Sequence, residues 1–377
     1  MEKFNPEEHI KAKNQENQEK YHPVKINSFY YYTIAEKLNL GTEERKIEFE
    51  RGENYPYKII STPKENFIVF PDGNIIVVSE KNGETFKTKI ELKNSEGNEI
   101  KINNISHLKI FPDGTLLVAD QNKLYIFNSE GYLSSQYDDK KYNFILDQEI
   151  KINEKILNLQ ITETGNIIIT TSDNVIFFKY DDEKEKYGEN IRVNYKNVGT
   201  RREKENFSLS YYLEKENTLI ILTKSKIILY SIEENKIIRK RELSEIITSG
   251  DLGFDINDLF VNPYKEEILL SANIYYEEQS NKNVVLILDT KELNQKAVIK
   301  NPFNNGRIIK AISTNKGEII VLGTVNSKSC IKVFEYEDGK YNLSREYYSR
   351  EYYKDQYISD MSIGFEGELF FVSNYQG

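Results

Sequence analysis

The side chains that most often perform chemistry are few in this chain, and their spacing suits no common reaction. The three histidines are His9, His22 and His107, and the single cysteine is Cys330. No histidine has a second His, a Cys or a carboxylate at the spacing of a zinc site. Cys330 lacks an adjacent His or basic cluster that would activate its thiol. The sequence therefore predicts no metal site and no nucleophile, and Cys330 is expected to be a small packing residue.

The acidic residues offer no calcium site. Asp72 and Asp113 stand in Pro-Asp-Gly turns, where Pro presets one backbone angle, Asp bonds its own backbone and Gly accepts a positive φ. Residues 180–183 are acidic but lack the ordered ligand spacing of an EF-hand, so a solvated loop is expected there. The chain has no Gly-x-Ser-x-Gly elbow, Walker loop or Gly-x-Gly-x-x-Gly motif, so we expect no catalytic residue and no cofactor.

Tyrosine and arginine give the strongest interaction signal. Both are enriched at interface hot spots, since they combine apolar contact with directional polar groups. The candidate partner-binding residues are Arg201, Arg202, Tyr275, Tyr276 and Tyr352. A structural role stays open for the other tyrosines, because Tyr212 is expected inside a strand and Tyr347 and Tyr348 at the end of an outer strand.

A repeated turn supplies the elements that would position these residues. It has seven copies, 41, 51, 52, 49, 51 and 50 residues apart. The reference positions are Gly73, Gly114, Gly165, Asn217, Glu266, Gly317 and Gly367. A short β-branched run, such as residues 74–78 or 218–222, follows each turn and is typical of a buried strand. Repeats of this length indicate a solenoid or a propeller, and the short strands favour antiparallel blades around a channel.

A second repeated position lies inside the unit. Phe127, Phe178 and Tyr230 each follow their turn position by 13 residues and each end an apolar strand. This layout resembles the WD40 repeat, in which the same slot holds the Trp of a Trp-Asp dipeptide. The chain contains no Trp, so the resemblance is one of repeat layout and identifies no subfamily. Over residues 25–377 it implies an all-β, WD40-like propeller with seven four-stranded antiparallel blades.

The two ends of the chain are expected to close the ring. The seventh unit has a first strand near residues 358–363 and a second strand at residues 368–372, after which the chain stops. Two further strands are expected at residues 28–33 and 45–50, separated by a turn. These N-terminal strands would complete the seventh blade, which removes open sheet edges.

Residues 1–24 stand apart from the single propeller domain expected over residues 25–377. The segment Asn5-Pro6-Glu7-Glu8 has a capping residue, a Pro at the first helical position and a Glu at the third, so a helix could begin there. The following residues are almost wholly polar. A polar N-terminal arm, helical or disordered, is therefore expected.

Composition excludes several function classes. The net charge of −9 and the pI near 5.3 argue against nucleic-acid binding, which needs a basic field. The longest apolar runs are too short to span a bilayer, so membrane insertion is not expected. A single cysteine cannot form an internal disulfide, and the N-terminus lacks an apolar signal core. These features favour the cytoplasm.

The leading functional expectation is a non-catalytic scaffold that binds a protein or peptide. In a WD40-like blade, the loops between the second and third strands share one rim with the loops between blades. Here that rim would hold residues 199–202, 271–283 and 349–356, and loops on a rigid scaffold often carry binding. Two alternatives remain: a lactonase-like hydrolase with its site in the central channel, and a small-ligand or glycan binder. The partner's identity and the oligomeric state stay open.

Ring closure can be tested by truncation. We expect deletion of residues 1–52 to lower the midpoint of thermal unfolding, because the seventh blade would lose two strands and expose open edges. Circular dichroism on heating would measure this midpoint. An unchanged midpoint would contradict the closure.

Overall fold

The computed structural model describes most of the chain after residue 57. The described residues are 58–61, 66–69, 73–81, 84–111, 114–129, 142–194, 198, 207–247, 253–262, 265–276, 282–304, 306–314, 317–326, 328–348, 356–363 and 369–375. The arm at residues 1–24 and the strands expected at 28–33 and 45–50 lie outside them, so the proposed closure stays a prediction.

The described strands form seven successive units, here called blades 1 to 7. Blade 1 contains β1 (Lys58–Ser61), β2 (Asn66–Val69), β3 (Ile75–Lys81) and β4 (Glu84–Lys93). Blade 2 contains β5 (His107–Ile110), β6 (Leu116–Ala119), β7 (Lys123–Ser129) and β8 (Tyr142–Lys151). Blade 3 contains β9 (Asn158–Ile161), β10 (Ile167–Thr170), β11 (Asn174–Asp181) and β12 (Lys186–Asn194).

The remaining blades follow the same plan. Blade 4 contains β13 (Phe207–Leu213), β14 (Thr218–Thr223), β15 (Lys226–Ser231) and β16 (Lys236–Glu242), followed by a single helical turn, α1 (Leu243–Ile246). Blade 5 contains β17 (Gly253–Asn262), β18 (Glu267–Tyr275), β19 (Lys282–Asp289) and β20 (Gln295–Lys300). Blade 6 contains β21 (Gly306–Ser313), β22 (Ile319–Val325), β23 (Lys328–Glu337) and β24 (Lys340–Tyr348). Blade 7 is described by β25 (Gln356–Ile363) and β26 (Leu369–Tyr375).

Within each blade the strands pair antiparallel in chain order. The outer strands β4 and β8 also pair with each other in parallel, so blades 1 and 2 share one eight-stranded sheet. The innermost strand of blade 1, β1, lies against β25 and β26 of blade 7. The first and last blades are therefore in contact. The all-β architecture expected from the sequence is confirmed.

The apolar runs form strands that are covered on both faces. In β14, Leu219 and Ile221 join the cluster shared with blade 3, whereas Ile220 and Leu222 join the cluster shared with blade 5. Successive side chains of a strand point to opposite faces, so both sets must be apolar. This explains why the second strands read as continuous apolar runs rather than as an alternating pattern.

The hydrophobic core lies between the blades. Five clusters of buried side chains each join one neighbouring pair, from blades 1 and 2 through blades 5 and 6. The side chains of blade 7 lie largely outside the described residues. Blades 1 to 6 thus depend on their neighbours for burial of their apolar surface.

The repeated turns have the backbone conformation expected from the sequence. Six of the seven reference positions are described, and all have positive φ. They are Gly73 (84°), Gly114 (90°), Gly165 (82°), Asn217 (47°), Glu266 (49°) and Gly317 (91°). Gly adopts this region without steric cost, and Asn tolerates it. Glu266 is the exceptional residue type, and its carboxylate lies 2.8 Å from the Lys291 ammonium.

The repeat is displaced by one strand in blade 1. Gly73 lies between β2 and β3, the second and third strands, whereas Gly114 lies between the first and second strands of blade 2. The displacement arises because β1 precedes β2 in blade 1. No sequence pattern had indicated a strand at β1. The interval from Gly73 to Gly114 is 41 residues rather than about 50, and that shorter interval was the sequence signal for the displacement.

The bulky residue of the third strand is buried as expected. Phe127 is 0%, Phe178 4% and Tyr230 0% exposed. In blades 2 to 6 the register between the third and fourth strands shifts immediately before this position. A β-bulge there increases the local twist and re-aims the side chain, which lets one bulky residue fill the space between blades.

Removing one of these side chains tests the interface packing. We expect Phe127→Ala to lower the free energy of unfolding by about 3–5 kcal/mol, because it leaves a cavity between blades 1 and 2. Urea unfolding followed by circular dichroism measures the change. Leu343→Ala, at a side chain 47% exposed on β24, is the control and should cost less than about 1 kcal/mol. Equal losses in both variants would contradict the packing role of Phe127.

Candidate functional site

Polar side chains tie the innermost strands to one another. The Gln160 amide on β9 donates to the Tyr212 carbonyl at 3.1 Å and accepts from the Tyr212 N–H at 2.8 Å. Asn158 donates to the Ser210 carbonyl at 2.8 Å. The partners lie one repeat apart, on neighbouring blades. These bonds satisfy backbone groups that the innermost strands would otherwise leave unpaired.

Charged side chains on the innermost strands of four blades interact with one another. On blade 5, the Asp258 carboxylate accepts the Ala311 N–H at 3.2 Å. On blade 6, the Lys310 ammonium donates to the Asp360 carboxylate of blade 7 at 3.0 Å. Lys109 of blade 2 interacts electrostatically with both Lys310 and Asp360. We call Lys109, Asp258, Lys310 and Asp360 the lumen cluster.

Burial and neighbouring charges change the protonation equilibria of this cluster. Burial raises the pKa of Asp258 to about 6, although the Lys310 charge and the N–H groups of Ala311 and Leu259 oppose the rise. Burial also lowers the pKa of Lys109, and the Lys310 charge lowers it further while Asp360 opposes. Because the Lys109 side chain is exposed, we treat it as only partly desolvated.

Tyr275 and Tyr276 lie together on one rim of the ring. Tyr275 ends β18, and its hydroxyl interacts with Asp255 near the start of β17. Burial, followed by this interaction and the Asp255 charge, raises the pKa of Tyr275, and the Arg307 charge opposes. The Lys282 ammonium lies 4.6 Å from the centre of the Tyr276 ring, within the range of a cation–π contact.

These contacts place two aromatic rings and three charged residues near one rim. Gly253 pairs with Tyr275, so the end of β18 and the start of β17 lie side by side. Lys282 and Arg307 begin or nearly begin β19 and β21. Both tyrosines are half-buried. These two, which are consecutive in the chain, are the members of the five tyrosine and arginine candidates that the structure describes.

The other three candidates lie outside the described residues. Arg201, Arg202 and Tyr352 are not described, so their place beside Tyr275 stays a prediction. Asp72 and Asp113 also lie outside.

The other described candidates lie in the core, on a strand or in a tight turn, where their side chains have structural roles. Cys330 is fully buried on β23, in the cluster between blades 5 and 6. His107 is half-buried on β5. Asp181 accepts the N–H groups of Glu183 at 3.1 Å and Lys184 at 3.3 Å, within the tight turn between β11 and β12. The part of the chain that the structure describes holds no group of three or more His, Cys, Asp or Glu side chains able to bind a metal.

Sequence reasoning missed the lumen cluster. Its members stand in the strands that precede the repeated turns, where Lys310 follows Asp258 by 52 residues and precedes Asp360 by 50. A charge that recurs at the repeat period within an innermost strand was the available signal. It is a weak one, because half-exposed strand positions are often charged.

The similarity of this chain to two solved structures establishes its fold. The β-propeller domain of Cps50 (Swd1) from Myceliophteria thermophila matches with a TM-score of 0.53 and 14% identity, over 79% of this chain and 88% of that one. The WD40 β-propeller domain of Doa1 matches with a TM-score of 0.51 and 12% identity, over 86% and 91%. The fold is a WD40-like β-propeller. At these identities the likeness concerns the fold alone.

No protein-family model and no curated protein sequence matches the chain. Among the described residues, no helix has the length and apolar character needed to cross a membrane.

Ionisation of Asp258 should cost the propeller stability. The folded carboxyl has a pKa of about 6 against an ordinary 3.8, so the folded state holds its proton more tightly than the unfolded state. The resulting stability is present below pH 4 and is lost as the pH rises toward 6. We expect the stability of Asp258→Asn relative to the wild type to increase by about 1–3 kcal/mol between pH 4.5 and 7.5.

Urea unfolding at both pH values measures this difference. Asp182→Asn, at an exposed carboxylate in the turn after β11, is the matched control and should leave it unchanged. Parallel pH curves for Asp258→Asn and the wild type would overturn the assignment.

Proposed function

We propose that the protein is a non-catalytic scaffold that binds a protein or peptide partner on the rim of Tyr275 and Tyr276. The supporting observation is the grouping of these two rings with Lys282, Asp255 and Arg307. Tyrosine provides apolar contact and a hydrogen-bonding hydroxyl, and charges around an aromatic centre favour a partner of complementary charge. Arg201, Arg202 and Tyr352 belong to the same proposed surface.

The framework beneath this rim is suited to binding. The buried run of β18 extends to Ile274, and Tyr276 packs against the cluster shared by blades 4 and 5. The rings are thus held by packing before a partner arrives, which reduces the entropy lost on binding. A WD40-like fold supports a scaffold role by analogy only. We place the protein in the cytoplasm on its composition.

The experiment compares capture of partners by the wild type and by Tyr275→Ala/Tyr276→Ala. Tagged protein is incubated with extract of the source cells, and retained proteins are identified by mass spectrometry. We expect a partner of the wild type to bind at least about tenfold more weakly to the double variant, which corresponds to about 1.4 kcal/mol or more. Circular dichroism verifies that the variant is folded.

Tyr336→Ala is the matched control. Tyr336 is 54% exposed and lies near the end of β23, on the opposite rim from its start. Tyr275→Phe then separates the contribution of the aromatic ring from that of the hydroxyl group, since it keeps the ring and removes only the hydroxyl. Equal capture by the double variant, Tyr336→Ala and the wild type would reject this rim as the binding surface.

A further inference from the structure

Blade 1 contains a cavity beside the point where its third and fourth strands separate. The ladder between β3 and β4 ends at the pair Ile76 and Lys89. After a turn, the chain folds back along the end of β4, where the Ile100 N–H donates to the Leu92 carbonyl at 2.6 Å. A cavity of about 310 Å³ lies between the start of β3, the end of β4 and residues 99–102.

Gly73 shapes this cavity. It has a φ of 84°, and a Cβ atom there would lie 1.8 Å from the carbonyl oxygen of Ile102. Only Gly permits this close approach, so residues 99–102 can pass against the start of β3. In blades 2 to 6 the repeated turn lies between the first and second strands, whereas Gly73 lies between the second and third. The cavity therefore forms at the place where blade 1 departs from the repeat.

The cavity has aliphatic walls and a charged opening. The aliphatic residues that line it are Ile75, Ile90, Leu92, Ile100 and Ile102. Lys89, Glu99 and Lys101 also line it and are exposed, so the cavity opens to solvent beside them. Within the described ranges neither of these lysines belongs to an ion pair, although Lys93 nearby lies 2.9 Å from Glu91.

We propose that this cavity binds a small aliphatic carboxylate, whose chain lies along the aliphatic walls and whose carboxylate is held by Lys89 and Lys101. The volume is at the lower end of the range of small-molecule sites, which begins at about 300 Å³. A water molecule takes up about 30 Å³ of the liquid and a methylene group is of similar size, so a ligand of about ten heavy atoms matches the cavity. A helix or a pair of strands would be too large.

The charges at the opening favour an anion. Two ammonium groups stand against the one carboxylate of Glu99, in a protein whose net charge is −9. Hydrogen bonds from an ammonium group to a carboxylate are stronger than bonds between neutral groups. Glu99 would repel a dianion more strongly than a monovalent anion, so a single carboxylate suits the site. The aliphatic walls add the second requirement, because burial of methylene groups removes apolar surface from water.

Methyl NMR on the full chain provides a direct readout. The isoleucine methyl groups are labelled with ¹³C, and the signals missing from Ile100→Phe and Ile238→Phe are assigned to those two residues. Octanoate, which matches the cavity in size, is titrated at constant ionic strength. We expect a saturable shift of the Ile100 signal and no shift at Ile238, an exposed residue on β16.

Two further probes separate the contributions of the chain and the charge. Octan-1-ol keeps the chain and replaces the carboxylate with a hydroxyl group, and acetate keeps the carboxylate without the long chain. We expect octanol to bind at least about fivefold more weakly than octanoate, because it lacks the charge-assisted bonds to the lysines. Acetate should bind at least about a hundredfold more weakly, since it leaves the aliphatic walls uncovered.

A larger side chain inside the cavity tests its location. We expect Ile100→Phe to weaken octanoate binding, measured by calorimetry, at least about tenfold, because the added ring occupies part of the space. Ile238→Phe makes the same change at an exposed position and should bind octanoate like the wild type. Circular dichroism verifies that both variants are folded.

Removal of the two cations tests the binding of the carboxylate. Lys89→Gln/Lys101→Gln should weaken octanoate binding at least about fivefold and leave octanol binding unchanged, a selectivity that misfolding cannot produce. Lys179→Gln/Lys240→Gln is the matched control, since it removes the same charge from two exposed lysines on β11 and β16. This control should bind octanoate like the wild type.

Three results would overturn the proposal. They are an Ile100 signal that does not respond to octanoate, equal binding of octanoate and octanol, and equal octanoate binding by the two lysine double variants. The cavity does not depend on the rim tyrosines. Tyr275→Ala/Tyr276→Ala should therefore bind octanoate like the wild type, so failure of the rim proposal and failure of the cavity proposal can be distinguished.

Discussion

The structure depends on one constraint, that the central strands of blades 2 to 5 are covered on both faces by neighbouring blades. Residues such as Ile220 and Leu222 face one neighbour, and Leu219 and Ile221 face the other. A single blade could bury neither face completely without its neighbours, so stability is distributed around the ring. The bulges before Phe127, Phe178 and Tyr230 adapt each sheet to this arrangement, because added twist lets flat sheets pack around a common axis.

Polar bonds near the channel complement this apolar packing. Apolar contacts are non-directional and would permit blades to slide against one another. Side chains such as Gln160 and Asp258 bind backbone groups of the next innermost strand at defined positions. Such bonds are available only in one register, so they favour a single relative placement of neighbouring blades. The same side chains give the channel a polar lining.

The rim and the channel use the fold in different ways. The rim presents Tyr275 and Tyr276 at the ends of well-packed strands, where a partner can approach from solvent. The lumen cluster instead joins charges from blades 2, 5, 6 and 7, and burial shifts the pKa values of Lys109 and Asp258. A macromolecular partner suits the rim, where side chains are held by packing and remain open to solvent.

Local sequence determined the strands, the turns and the repeat. The runs at residues 74–78 and 218–222 and the positive φ at Gly114 depend on neighbours within a few residues. The blade layout also predicted that Tyr275 and Tyr276 would lie on a rim. Only the tertiary structure decided that β1 is the first strand of blade 1, and that β1 lies against β25 and β26, about three hundred residues later in the chain. Those contacts arise when the ring brings distant blades around one axis, and no local pattern encodes the distance between them.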